Sequence, residues 1–249
     1  MKNIKYLCIA FLIIACNQDD ANTNADEATL LIETLADLVA QNNVQIDNVI
    51  ACASGSENPN ETIAYVYPRP GASDLRYFET VDATVDKNDF ELYTPVDIES
   101  EDFFNGFLRT FTVQSQEEKW VIISFQEDGD LHISNPIRLK HLTQNTILTD
   151  EVAIDQSQEA MPLFSWENIT NQEDAIYFQV VSDENNDLLS GTYTFEDNFR
   201  YYELDNVVLN ITQETPPELV IDDPYGFLLM GVSEDNWVNV LAQRTFVAQ

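Results

Sequence analysis

From Ile46 to the C-terminus, apolar residues recur with a period of two, in short runs broken by turn-forming residues. Thr62–Tyr67 puts Ile63, Tyr65 and Tyr67 on one face; Phe107–Val113 puts Phe107, Phe111 and Val113 on one side, with Arg109 the exception. Trp120–Phe125, Ile176–Val181, Thr192–Phe195 and Val207–Ile211 are further β-rich runs. Turn signals at Pro68–Gly71, Glu127–Asp130, Asp183–Asp187 and Asp222–Pro224 separate them. Many short strands at even spacing predict antiparallel β-sandwiches. One upstream segment has a helical period instead. Leu31, Leu35 and Leu38 share a face beside Ile32 and Val39, and Asn24 and Glu27 have capping-box spacing, so a helix is expected over about 25–41. Its apolar stripe is expected to pack on the domain C-terminal to it.

The first twenty residues carry a different pattern. Lys2 and Lys5 precede an apolar run, Tyr6–Ile14, about half the ~20 residues that span a bilayer. Ile13-Ile14-Ala15-Cys16 comes next. It resembles the lipobox cut by lipoprotein signal peptidase, which needs an apolar residue, a small residue at the cut and a cysteine whose thiol takes diacylglycerol. The resemblance implies removal of residues 1–15 and lipidation of Cys16. Asn17-Gln18-Asp19-Asp20 resembles the export signal of Bacteroidetes-type surface lipoproteins. That implies a protein on the outer face of the outer membrane, attached to it by the lipid alone.

The β-rich region divides in two. Phe107-Leu108 … Lys119-Trp120-Val121 and Phe227-Leu228 … Asn236-Trp237-Val238 are similar, each an apolar strand, a polar turn and Trp-Val opening the next strand. Copies this far apart predict two tandem domains of ordinary size. The expected organisation is signal peptide 1–15, tether 16–24, helix 25–43, first β-sandwich 44–141 and second β-sandwich 142–249. In the second, Pro162-Leu163-Phe164-Ser165-Trp166 and the Leu219 … Tyr225 … Phe227 … Leu229 spacing resemble a fibronectin type III domain, with the proline displaced to Pro224. The resemblance implies a core Trp166 and a tyrosine corner in which Tyr225 bonds nearby backbone. The fold class is all-β: two tandem immunoglobulin-like or fibronectin-type-III-like sandwiches. Such folds serve many functions, so the class alone names none.

Composition narrows the partners. With 44 Asp+Glu against 11 Lys+Arg the net charge is −33, and signal cleavage would remove Lys2 and Lys5 and no acid. A surface this acidic repels nucleic acid and anionic lipid and favours cationic partners or divalent metals. At 44% hydrophobic and 11% aromatic, the chain has ample material for a core. Three cysteines occur: Cys8 leaves with the signal and Cys16 is acylated, so Cys52 stands alone on a strand as a small buried hydrophobe.

Catalytic signatures are missing from the sequence: G-x-S-x-G, H-E-x-x-H, G-x-G-x-x-G and G-x-x-x-x-G-K do not occur. His132 and His141 lie nine apart in a turn-rich segment, where a surface position is the default expectation. Carboxylates are too plentiful for a hydrolase pair to be read from spacing. No cofactor is expected; calcium is the one weak candidate, at the oxygen-rich turns holding Asp128, Asp130, Asp183 and Asp187. Ligand-binding candidates are the tyrosines near turns, Tyr65, Tyr67, Tyr201 and Tyr202, whose faces stack on sugars or peptides if exposed. The expected function is a non-catalytic interaction or structural lipoprotein; the alternative is a glycan-binding accessory to an outer-membrane uptake system.

Overall fold

The structure, a computed structural model, describes residues 32–249 apart from 168, 170–172 and 214. The expected signal peptide, Cys16, tether and first part of the helix lie outside the described residues. A helix α1 (Leu35–Ala40) opens the described chain. The first β-region holds β1 (Val44–Val49), β2 (Ala51–Gly55), β3 (Glu61–Val66), β4 (Ser73–Glu79), β5 (Thr94–Val96), β6 (Glu101–Phe103), β7 (Leu108–Gln114), β8 (Trp120–Glu127), β9 (Asp130–Ser134) and β10 (Ile137–Arg138). The second holds β11 (Ile147–Thr149), β12 (Ala153–Asp155), β13 (Leu163–Ser165), β14 (Asp174–Ser182), β15 (Leu188–Thr194), β16 (Asn198–Arg200), β17 (Val207–Asn210), β18 (Pro224–Ser233) and β19 (Val238–Val247).

Helix α1 begins later than its apolar period suggests. Thr34 is extended, its side chain accepts from Asp37 N–H, and Asp37 accepts from the Thr34 backbone. That capping box fixes the start of α1 at Leu35, because the N-cap residue must leave helical geometry. The predicted stripe does pack: Leu35 and Leu38 bury against Phe78, Tyr93, Ile122, Leu131 and Ile133 on the outer face of the first sheet.

Four sheets form two sandwiches. The first pairs β1-β9-β8-β4-β5, with β10 beside β8, against β2-β3-β7-β6. The second pairs β11-β19-β18-β14-β15-β17 against β12-β13-β16. In both, the opening strand runs parallel to a late strand of the same sandwich: β1 with β9, β11 with β19. This shared topology is the true internal repeat. The sequence similarity around Trp120 and Trp237 has a different origin. It aligns β7→β8, a crossing between the two sheets, with β18→β19, a hairpin within one sheet. Apolar strand, polar turn and Trp-Val is what any chain re-entering a core looks like, so that match does not mark equivalent strands.

Alternation within single strands shows where each face goes. On β8, Val121, Ile123 and Phe125 enter the first sandwich's core while Ile122 faces α1. On β14, Tyr177 and Val181 enter the second core with Phe164, Trp166 and Phe199. The opposite face of β14, Phe178 and Val180, joins Leu228 and Met230 of β18 against Tyr65, Tyr67, Phe104 and Leu108 of the first sandwich. The β14 sheet is therefore buried on both sides, which is why β14 and β18 run almost unbroken in apolar residues. The two sandwiches stack face to face across this seam.

Trp237 locks the seam. It lies just past the turn at the end of β18, yet its fully buried ring sits in the first sandwich's core among Val49, Ala53, Ala64, Phe111 and Ile137. Its Nε1–H donates to the Gln144 carbonyl at 2.9 Å, and Ala53 N–H donates to the Asn236 carbonyl at 3.0 Å. Tyr67 adds a hydroxyl donation to the Ile211 carbonyl at 3.2 Å.

Candidate functional site

Three of the four tyrosines expected to stack on a ligand are core residues. Tyr65 is 8% exposed, tilts on Phe103 at 5.6 Å and has its hydroxyl 3.3 Å from Ser54 Oγ; burial pushes that hydroxyl up to about 12. Tyr67 is committed to the seam. Tyr201 is fully buried and donates to the Pro217 carbonyl at 2.7 Å. Only Tyr202 is half-exposed, standing perpendicular to Tyr201 in a left-handed turn (φ 75°). The period-two face of Ile63, Tyr65 and Tyr67 is present, but the second sandwich covers it.

Asp183 uses its carboxylate to shape its own turn, while Asp130 and Asp187 accept from side-chain amides of neighbouring segments. Asp128 and Gly129, at φ 53° and 89°, form the two-residue connection of the β8–β9 hairpin, the geometry that Asp-Gly favours. Asp130 accepts from Asn43 at 2.7 Å and Gln45 at 3.0 Å, and these bonds hold its carboxyl below the usual range. Asp183 Oδ1 accepts from the Asn185 and Asp187 N–H groups at 2.9 and 2.8 Å, and Asp187 accepts from Asn105 at 2.7 Å. Among the described residues no three His, Cys, Asp or Glu side chains converge in a metal-binding group.

Both histidines are buried rather than surface-placed. His141 bonds the Ser115 carbonyl through Nε2 at 3.0 Å, and His132 stacks on Phe125 with Nδ1 2.8 Å from Arg69 Nη2. Cys52 lies on β2 facing the seam, its sulfur 3.9 Å from that of Met230. Burial pushes its thiol up to about 12, which removes it as a nucleophile at neutral pH.

One concave surface runs along the seam, in two lobes that share Phe103 and Gln243. One, of 410 Å³, has Ile63, Tyr65, Thr110 and Thr112 of the first sandwich as floor and Leu148 and Leu241 of the second as wall. The other, of 380 Å³, is lined by Phe103, Phe104, Phe227, Leu228, Arg244 and the Asp150 and Asn186 loops. Both volumes fall in the range of ligand pockets, which favour domain interfaces. Sequence reasoning missed this site, because its residues come from strands far apart in the chain. The exposed Leu148 and the consecutive Phe103-Phe104 were its only local signals.

Acidic side chains line the larger lobe, and the smaller holds both Asp150 and Arg244. Among the described residues each Lys and Arg is engaged: Arg69 with Glu127, Arg76 with Asp74, Arg109 with Asp102, Lys119 with Glu79, Arg138 with Glu118, Lys140 with Asp235, Arg200 with Glu203. Arg244 donates to the Asp150 and Val152 carbonyls, and Lys87 lies 5.2 Å over the Trp120 ring. Most of the remaining charge at the surface is carboxylate, while Arg244, held by two carbonyls, places a cation at the smaller lobe.

Topology and packing define an all-β, tandem-sandwich protein of the fibronectin type III/immunoglobulin-like kind. The tyrosine corner is present: Val220 N–H donates to the Tyr225 hydroxyl at 2.9 Å, and Trp166 is buried in the same core. Among solved structures, the FN1–FN3 domains of chicken CNTN1 align over 84% of this chain and 68% of theirs, at 9% identity and a TM-score of 0.31. The chicken interferon gamma receptor alpha chain aligns over 81% and 97%, at 11% identity and a TM-score of 0.24. No family model matches the sequence, and no curated protein matches it.

Proposed function

We propose that this protein is a lipid-anchored module of the cell envelope, tethered through Cys16 at the outer membrane surface, that holds a partner protein without catalysing a reaction. The observation that carries the reading is the seam. Two sandwiches that share a buried face and a tryptophan plug form one compact unit, which can present a surface built from both. A non-catalytic reading is supported by the burial of Cys52, the packing of both histidines and the hydrogen bonds that Asp130, Asp183 and Asp187 accept within the protein. Among the candidate tyrosines for sugar stacking, Tyr202 is half-exposed and Tyr65 contributes only an 8%-exposed edge to the floor of a seam lobe, which supports protein binding as the better reading. Among the described residues no helix is long and apolar enough to cross a membrane, so the proposed anchor rests on the lipobox-like Ile13–Cys16.

The test places a photo-crosslinking amino acid at exposed Ile46, Leu148 or Val208 in the full chain on intact cells. A discrete protein adduct from at least one position is expected. Absence of an adduct at all three sinks the partner-holding role. In parallel, Cys16→Ala should move the protein from the membrane to the soluble fraction; unchanged retention removes the anchor.

A further inference from the structure

Resting on that reading, we infer that the seam groove binds an extended, cationic–apolar peptide segment of the partner. Three features point to that occupant. The larger lobe has an apolar floor and wall in Ile63, Tyr65, Leu148 and Leu241, and the neighbouring Ile147 and Leu148 of β11 are 51% and 41% exposed. Apolar side chains entering it would be drawn from water, the non-directional term that dominates association.

The second feature is charge. Glu57 and Glu101 line the larger lobe; the smaller holds Asp150 together with Arg244, so the carboxylates that would meet a cation are those of the larger lobe. Glu57 and Glu101 are exposed, and among the described residues neither forms an ion pair, seven of the nine Lys and Arg being paired with other carboxylates. A cationic residue beside each apolar anchor would meet carboxylates it does not have to take from an existing ion pair. Such complementarity speeds encounter and rejects acidic segments, including a second copy of this chain.

The third is backbone. β11 and β6, which border the groove, are both edge strands: β11 pairs with β19 alone and β6 with β7 alone among the described residues. Their outer N–H and C=O groups are open to an added strand, and strand addition with side chains dropping into pockets is an established mode of peptide recognition. Since side chains of a strand alternate, an alternating Lys/apolar sequence places its apolar members on the floor and its ammonium groups at the rim.

The test titrates the mature protein with a dye-labelled peptide, acetyl-Lys-Phe-Lys-Val-Lys-amide, in about 0.15 M salt, where the Debye length is about 8 Å and diffuse attraction is damped. Its Glu-for-Lys and Ser-for-apolar counterparts and free phenethylamine are run alongside. Saturable one-to-one binding of the Lys/apolar peptide is expected, with neither counterpart bound comparably. Leu148→Arg should weaken it at least ten-fold, as should the double variant Glu57→Gln/Glu101→Gln; Val208→Arg, on β17, should not. All these positions are exposed, so an unchanged melting temperature confirms that the variants fold. Failure to bind, or equal binding by all variants, overturns the inference. Phenethylamine binding as tightly as the peptide makes the groove a small-amine site and also overturns it. Crosslinks to a partner from Val208 or Ile46 but none from Leu148 remove the groove and leave the partner-holding module; none from any position removes both.

Discussion

Replacing Trp237 by Ala tests whether the sandwiches are one body or two. Trp237 belongs by sequence to the second sandwich and by contact to the first. Truncating a buried Trp or Phe costs about 3–5 kcal/mol, and the upper part of that range applies where neighbours cannot collapse into the void. Here the void is bordered by Ala53 and Ala64, whose short side chains cannot fill it, and by strands held in register on both sides. The Gln144 carbonyl also loses its donor, for about 1 kcal/mol more. The expected loss is about 4–6 kcal/mol, a large part of the ~5–15 kcal/mol that typically separates folded from unfolded chains.

The assay is equilibrium urea unfolding monitored by Trp fluorescence. Trp120 reports the first sandwich and Trp166 the second, each isolated by changing the other to Phe, with Trp237 changed to Phe in the reference protein so that it does not contribute. In that reference protein the two probes should trace one coincident transition, and Trp237→Ala should move both to lower urea. A loss below about 2 kcal/mol, or a shift reported by Trp166 with Trp120 unmoved, would refute the seam argument.

Other named groups give three further outcomes. Tyr225→Phe removes the acceptor of the Val220 N–H and should cost about 1–2 kcal/mol in thermal unfolding without altering the circular dichroism spectrum; an unmoved melting temperature would show the corner contributes nothing. Cys52 should resist iodoacetamide at pH 8 in native buffer and react fully in denaturant, and stoichiometric labelling of folded protein would contradict its burial. Glu127 is held below its ordinary value first by its hydrogen bond from Arg69, and Glu61 first by the Ser56 hydroxyl. Their folded pKa values lie below the unfolded ones, so their stabilisation is complete above about pH 4.5 and fades as pH falls through the folded values. Acidification also relieves repulsion among 44 acids. The melting temperature should therefore rise slightly from pH 7 to about 5 and drop below about pH 4; a continued rise to pH 3 would show that repulsion alone governs.

Much of the fold is written in local pattern. The alternation of Ile63, Tyr65 and Tyr67, the Asp128-Gly129 turn, Trp166 and Tyr225 each depend on neighbours within a few residues or on one recurring corner, and each is found in the structure. The start of α1 departs from its apolar period because a Thr-x-x-Asp box does the work that the Glu form of the motif advertises. Buried tyrosines look like display tyrosines for a deeper reason. Period two states that a face is apolar; it does not state whether the cover is water, a ligand or another sheet.

The doubly buried sheet shows where that ambiguity narrows and how it bears on function. Segments 176–181 and 226–232 lack the polar alternate positions that a two-sheet sandwich exposed on its outer face requires, so something had to cover the second face. Identity of the cover, the face of β3 and the Trp237 plug, needs contacts across about 110–185 residues of sequence, which no local pattern encodes. The groove inherits the same property: Glu57, Glu101, Leu148 and Gln243 meet because the seam forms. Stability and the proposed binding surface are thus two consequences of one interface. A substitution that opens the seam should weaken peptide binding in proportion to the population opened, even where it touches no groove residue.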